Sequence, residues 1–261
     1  MKKLLIRGAI VAVVLIIVVI FALTLFLDGA IKKGFETVAP KITQVAVKLD
    51  GVSLSILSGS GSVKGLVVGN PEGYKTPEAI NVGHASLSVS PGSLLSDKIV
   101  VKSVRVDAAE VTFEGGLTGN NLSKILDNVE AFAGGDAKED PVAAKDGKPA
   151  KKIQVDDFLV TGAKVKVSLT GMGGKTVTVP LPDVHLTNLG QGEEGITTAE
   201  LTKQVLRAVL NSAIKVATSD KVKEMTKGLT DAVGEAGKAA TDAATKATKG
   251  VTDLFKKKKE E

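Results

Sequence analysis

Twenty consecutive residues, Gly8 to Leu27, carry no charge and are almost all Val, Ile, Leu, Ala or Phe. At about 1.5 Å per residue such a run spans roughly 30 Å, the thickness of a bilayer core. It is longer than the roughly 7 to 15 apolar residues of a cleavable signal. It also ends in Leu25, Phe26, Leu27 and Asp28 rather than in the small residues of a cut site. The expectation is an uncleaved single-pass transmembrane helix over residues 1–28. Lys2, Lys3 and Arg7 precede it and favour a cytoplasmic N-terminus, although Lys32, Lys33 and Lys41 follow it and weaken the bias. Long domains after such a segment cross largely regardless of their charge, which places the bulk of the chain outside the cytoplasm.

About 230 residues follow this segment, room for one main domain with a tail. The chain has no Cys, so disulfides, thiolate metal sites and a cysteine nucleophile are excluded. With no Trp, one Tyr and seven Phe, the core must be built from Val, Leu and Ile, and the β-branched residues among them favour strands. The formal net charge of +5 is modest, and basic residues alternate with acidic ones except at the C-terminus. Neither this balance nor the scarcity of stacking aromatics suits a nucleic-acid surface.

Residues 29–44 read as a short helical stalk or a linker, with apolar residues at Phe35, Val38 and Ile42 and an interruption at Pro40. From Val45 the period becomes two: Val45, Val47 and Leu49, a turn at Asp50-Gly51, then Val52, Leu54 and Ile56, the pattern of a β-hairpin. Further alternation runs through Val63, Leu66 and Val68, then Leu87 and Val89, then Ile99 to Val106 and Val111 to Phe113, punctuated by Gly and Pro turns. With no helical period between these strands, an antiparallel meander is expected. Asn120 or Asn121 can cap a helix whose Leu122, Ile125, Leu126, Val129 and Phe132 share one face, which should dock on the sheet. Residues 45–132 thus form a first β block with a short helix.

Residues 133–152 are too poor in apolar side chains to offset the entropy of ordering and read as a flexible linker. A second β block covers 153–195, with strands at Ile153 to Val160, around Val165 and Val167, and from Val177 to Leu186. Residues 196–261 turn helical. Leu201, Val205, Leu206, Val209, Leu210 and Ile214 form a stripe that should pack on something. Beyond Ser219, Val222, Val233, Ala244 and Phe255 recur at intervals of eleven, a long amphipathic helical pattern whose apolar face thins to Ala and carries several Gly.

Catalytic constellations are missing from this pattern. His84 and His185 sit in alternating strand contexts without a ligand partner at metal spacing, so each reads as a sheet or surface histidine. Ser58 to Ser62 do not form a nucleophile elbow, and the adjacent pairs Asp156-Asp157 and Glu193-Glu194 point to opposite faces if extended and read as solvated charge. No cofactor or metal site and no enzymatic activity is expected.

A more specific set is the turn Asn70-Pro71-Glu72-Gly73-Tyr74, followed by Leu94-Leu95-Ser96, the strands Ile99 to Val106 and Val111 to Phe113, and Asn121-Leu122 at a helix start. In this order and spacing, over Met1 to Phe132, the chain resembles the N-terminal region of AsmA-like proteins. The resemblance implies a protein of the bacterial inner membrane with its bulk in the periplasm, and a twisted β-sheet groove that shields the acyl chains of membrane lipids, phospholipid in particular. It also implies that Asn70, Pro71, Gly73 and Tyr74 form a structural turn rather than a catalytic site. The late-embryogenesis-abundant type 14 sandwich, also often anchored and with Asn-Pro after a strand, is the alternative, though Gly73-Tyr74 and Leu94-Leu95-Ser96 fit it less well.

Taken together, the expected fold is mainly β (α+β): a twisted antiparallel β-sheet groove or sandwich with one docked helix, flanked by an N-terminal anchor and a C-terminal amphipathic helix. Candidate lipid-contacting residues are Leu54, Ile56, Leu66, Val68, Leu87, Val89, Val104, Val106, Val165 and Val167. A dozen strands at about 4.8 Å give a groove of roughly 60 Å at most, too short to bridge two membranes. The alternating faces fit either a partly open groove or a face buried beneath the helix. In the tail, Phe255 and Lys256, Lys257, Lys258 and Lys259 suit an anionic membrane surface, and the pattern resembles the loose helices of late-embryogenesis-abundant and apolipoprotein-like proteins. The competing function is a structural or stress-protective scaffold or adaptor with an envelope protein partner.

Overall fold

The short alternating runs of the sequence join end to end into long, bent strands. In the computed structural model, which describes residues 28–116, 119–134, 151–169 and 176–225, three strand pairs are halves of single paths. These are β5 (Lys98–Asp107) with β6 (Glu110–Gly115), β7 (Lys152–Thr161) with β8 (Lys164–Leu169), and β9 (Val177–Pro180) with β10 (Val184–Leu189). Register survives each break: Asp107 faces Thr161 before it and Glu110 faces Lys164 after it. Val160 faces Val184 and Lys164 faces Pro180 in the same way. Backbone bonds also cross the corner, from Ala108 N–H to Thr161 O (2.9 Å), Lys164 N–H to Ala109 O (2.8 Å) and Leu181 N–H to Ala163 O (2.8 Å).

β4 (Glu78–Val89) spans the corner unbroken, pairing with β6 through Ile80 and Asn81 and with β5 from His84 to Val89. Its other edge takes β3 (Ser60–Gly69), and β3 in turn carries β1 (Val47–Lys48) and β2 (Gly51–Ser55). All these strands form one sheet, which therefore joins the two β blocks of the sequence.

The corner has a local cause. Gly65, Ala108 and Gly162 adopt positive φ of 61°, 52° and 62°. A left-handed residue inside a strand offsets the two-residue alternation by one. The apolar positions accordingly shift parity there: Val104 and Val106 give way to Ala109, Val111 and Phe113, and Phe158 and Val160 to Ala163, Val165 and Val167. One face of the sheet thus stays apolar on both sides of the bend.

Two helices cover that face. α2 (Asn121–Gly134) buries Leu122, Ile125, Leu126 and Val129 as its spacing predicts. α3 (Thr198–Ala217) starts with a capping box, in which the Thr197 hydroxyl accepts from Glu200 N–H and the Glu200 carboxylate accepts from Thr197 N–H. It buries Leu206, Val209, Leu210, Ala213 and Ala217 while crossing β10, β7, β8 and β6, and it packs on α2. Residues 28–43 are helical (α1), and this helix closes the free edge of β1 and β2. Asp28 Oδ1 accepts from Leu54 N–H (3.0 Å), Glu36 Oε1 accepts from Leu49 N–H (3.1 Å), and Lys32 Nζ donates to Asp50 O (2.9 Å). Such caps remove the open donors that make an edge strand a template for pairing.

Two expectations are corrected. The sheet is mixed and not antiparallel, because β5 with β7 and β6 with β8 run parallel. A parallel neighbour requires a crossover of a dozen or more residues, supplied here by α2 and the low-complexity stretch after it. The segments flanking Asp50-Gly51 do not pair with each other; both continue along β3. At this point Asp50 N–H reaches the carbonyls of Lys64 and Gly65, and its carboxylate occupies the space that a side chain at Gly65 would need.

Of the alternatives for residues 29–44, the helix is the one seen. Residues 220–225 are helical (α4), and Val222, the first member of the eleven-residue repeat, is buried in the core. The expected transmembrane run up to Leu27, most of the linker and the tail from residue 226, with Phe255 and Lys256 to Lys259, lie outside the described residues. Among the described residues no helix is long and apolar enough to cross a membrane.

Candidate functional site: an apolar row between two helices

Six strands align one residue each into a single row on the apolar face. Leu54 faces Gly61, Gly61 faces Leu87, Leu87 faces Val104, Val104 faces Phe158, and Phe158 faces Leu186. At about 4.8 Å per strand, five steps give roughly 24 Å, longer than one leaflet's share of a bilayer core, about 15 Å. Gly61 is a requirement of the row: a Cβ there would stand 2.8 Å from a Leu87 methyl and 3.1 Å from a Leu54 methyl. Its absence lets the two leucines meet across β3.

Burial grades along the face. The row from Leu54 to Leu186 is half-buried throughout, whereas in the next row inward Ala85, Val106, Val160 and Val184 are buried. Farther in, Val165 and Val167 are wholly buried beneath the helical layer. α1 shows the same gradient. Its stripe is buried at Ile42 (2 % exposed), half-buried at Val38, and open at Phe35 (39 %) and Ile31 (37 %). On the opposite side α3 crosses β10 and β7, with Leu201 and Val205 of its first turns half-buried. The apolar surface is therefore closed beneath α2 and α3, half-buried along the row from Leu54 to Leu186, and buried again beyond it at Val89, Val155 and Leu189.

Of the expected lipid-contacting residues, this arrangement brings Leu54, Leu87 and Val104 into one row. Leu66 and Val68 lie half-buried on the far side of the corner, and Val89 is buried at the end of β4, its N–H bonded to Gly59 O (2.6 Å). Ile56 stands exposed in the turn beyond β2. Phe158 and Leu186 complete the row but were not singled out by the sequence. Their alternation was visible, but the parallel pairing that brings them beside Val104 was not.

The Asn-Pro-Glu-Gly-Tyr turn is a lock of hydrogen bonds. Asn70 Nδ2 donates to Thr76 O (2.7 Å) and Thr76 Oγ1 (2.6 Å), and Asn70 Oδ1 accepts from Asn121 Nδ2 (2.7 Å). Asn121 also donates to Thr112 O (2.8 Å) and accepts from Glu114 N–H (2.9 Å). The buried Glu114 carboxylate accepts from the N–H groups of Lys75 (2.7 Å) and Thr76 (2.9 Å) and from the Thr76 hydroxyl. Burial pushes this carboxyl up, but those bonds and the Lys75 charge outweigh it and hold it below its usual 4.5. Pro71 is buried, Gly73 takes a φ of 95°, and burial, followed by the charges of Glu114 and Asp127, pushes the Tyr74 phenol above its usual 10.0. The Glu114 carboxylate and the Asn70 and Asn121 amides are thus all engaged in holding the turn to β6 and α2.

On the polar face, Asp157 bridges Arg105 and His185 Nε2, the latter at 2.6 Å. These bonds, His185 first and Arg105 second, hold the Asp157 carboxyl below its usual 3.8. Asp157 is thus paired rather than merely solvated. Among the described residues no cluster of His, Asp and Glu could hold a metal ion. No family model matches the chain, and a comparison with curated proteins finds no relative.

Proposed function

We propose that this protein binds or organises membrane phospholipid, non-enzymatically, with the row Leu54–Leu87–Val104–Phe158–Leu186 as the surface that contacts acyl chains. The observation that supports this reading is the row itself: six strands bring five large apolar side chains into one continuous, half-buried line roughly 24 Å long. Leu54, at one end of the row, is bonded through its N–H to Asp28, the residue after the apolar run Gly8 to Leu27, so a lipid leaving a bilayer that holds that run would meet this end first. The AsmA-like resemblance of the turn and strands, with its setting at a bacterial inner membrane, supports the same reading. A single sheet of this width suits local presentation of lipid rather than transport between two membranes.

The test is photo-crosslinking of the full-length protein in vesicles containing a phospholipid with a photoactivatable acyl chain. Crosslinks should map to peptides carrying Leu87, Val104 and Phe158, and Val104→Asp should abolish them. Crosslinks confined to residues 1–27 would count against the reading.

A further inference from the structure

The two most exposed large apolar side chains among the described residues are Leu95 (94 %) and Leu57 (80 %), and they occupy the same end of the sheet. Leu57 lies in the turn between β2 and β3, with Ile56 beside it also exposed. Leu95 closes the 3-10 turn Pro91–Leu95 between β4 and β5. The two turns are packed together: Gly59 is buried, and a Cβ on it would stand 2.1 Å from Val89 O and 3.1 Å from the Pro91 ring. Ser93 Oγ ties the second turn down, donating to Ser90 O (2.7 Å) and accepting from Val100 N–H (2.9 Å). Leu57 and Leu95 are therefore held on a braced tip.

We infer that this tip, Ile56, Leu57 and Leu95, inserts into the surface of a phospholipid bilayer. The chain itself names the occupant. Asp28, the first residue after the uncharged run Gly8 to Leu27, accepts from Leu54 N–H, two residues before Ile56. A bilayer holding that run lies next to the tip. Charged groups of both signs stand at this end, Lys98, Lys151 and Lys152 among Asp28, Asp97, Glu193, Glu194 and Glu200, with Lys98 Nζ donating to Gly192 O (3.1 Å) and Lys151 Nζ to Leu94 O (2.6 Å). Insertion is accordingly driven by apolar burial and not by attraction to anionic headgroups. The inference is independent of lipid in the row, since a tip can dock beside an empty groove.

Because the chain has no Cys, single Cys variants give clean probe sites. Leu57→Cys, Leu95→Cys and, at the opposite end of β3 and β4, the exposed Glu72→Cys would each carry an environment-sensitive fluorophore in the full-length protein. Each would be reconstituted in vesicles of phosphatidylcholine alone or of phosphatidylcholine with one quarter phosphatidylglycerol. The expected result is a blue shift and quenching by acyl-chain spin labels at positions 57 and 95, several-fold above position 72 and equal in both vesicle types. Quenching at 57 and 95 by aqueous iodide to the same degree as at 72 would overturn the inference. So would a blue shift without spin-label quenching, the signature of tip-to-tip contact between copies, or quenching that requires phosphatidylglycerol. Circular dichroism of each labelled variant checks that the fold is kept. Acyl crosslinks at Val104 with no quenching at the tip would sink this inference while sparing the lipid-binding reading, and the reverse pattern would do the opposite.

Discussion

At the scale of single residues, the buried Glu114 decides how the Asn70–Tyr74 turn is held. Its carboxyl is held below the ordinary range, so its contribution to stability is complete above the unfolded-state value, about 4.3. That contribution is lost as the pH falls from there through the folded-state value. Glu114→Gln, which cannot accept three bonds with both of its terminal atoms, is expected to cost about 1–3 kcal/mol at pH 7. The gap between the two proteins in urea unfolding should shrink between pH 5 and pH 3, and a gap independent of pH would contradict this role. The importance of this turn was legible in the sequence, because Asn-Pro and Gly punctuate it clearly. Its partners were not, since Glu114 is 38 or more residues, and Asn121 51 residues, from the groups of the turn that they bind.

At the scale of elements, the bend depends on a few left-handed residues. Gly162 has no atom within ordinary contact of an added Cβ except Ala108 N at 3.9 Å, so Gly162→Ala meets only backbone strain, about 1–2 kcal/mol. At Gly65 the Asp50 carboxylate lies 2.0 Å from an added Cβ, and Gly65→Ala must displace it as well. Thermal unfolding should rank Gly65→Ala as the more destabilising of the two, and equal or reversed effects would argue against the Asp50 contact. Thr197→Ala removes one half of the α3 capping box and is expected to cost about 1 kcal/mol. The helices were readable from spacing alone, the stripes Leu122 to Phe132 and Leu201 to Ile214 both lying within the helices seen. The hairpin expected at Asp50-Gly51 was not formed, because the same dipeptide serves equally to carry a strand past a left-handed glycine in its neighbour. The parallel crossover was hidden for another reason: residues 135–150 give no periodic signal that would bind the two β blocks into one sheet.

At the scale of the whole molecule, the apolar alternation of five long strands is kept in phase across a corner, and one row of it is left half-buried. Alternation was visible strand by strand, but a row of Leu54, Leu87, Val104, Phe158 and Leu186 exists only once register is known, and register between distant strands is not written in any one segment. The grading from wholly buried Val165 and Val167 to half-buried Val104 likewise depends on where α1 and α3 end up.

The most direct measurement is native mass spectrometry of the full-length protein extracted from a bacterial membrane in mild detergent, compared with a Val104→Asp, Phe158→Asp double variant shown to be folded by circular dichroism. The account predicts one or more phospholipid masses on the parent protein that survive detergent removal, and their loss from the variant. An apo mass for the parent, or equal lipid on both proteins, would contradict the claim that the half-open row is where lipid is held.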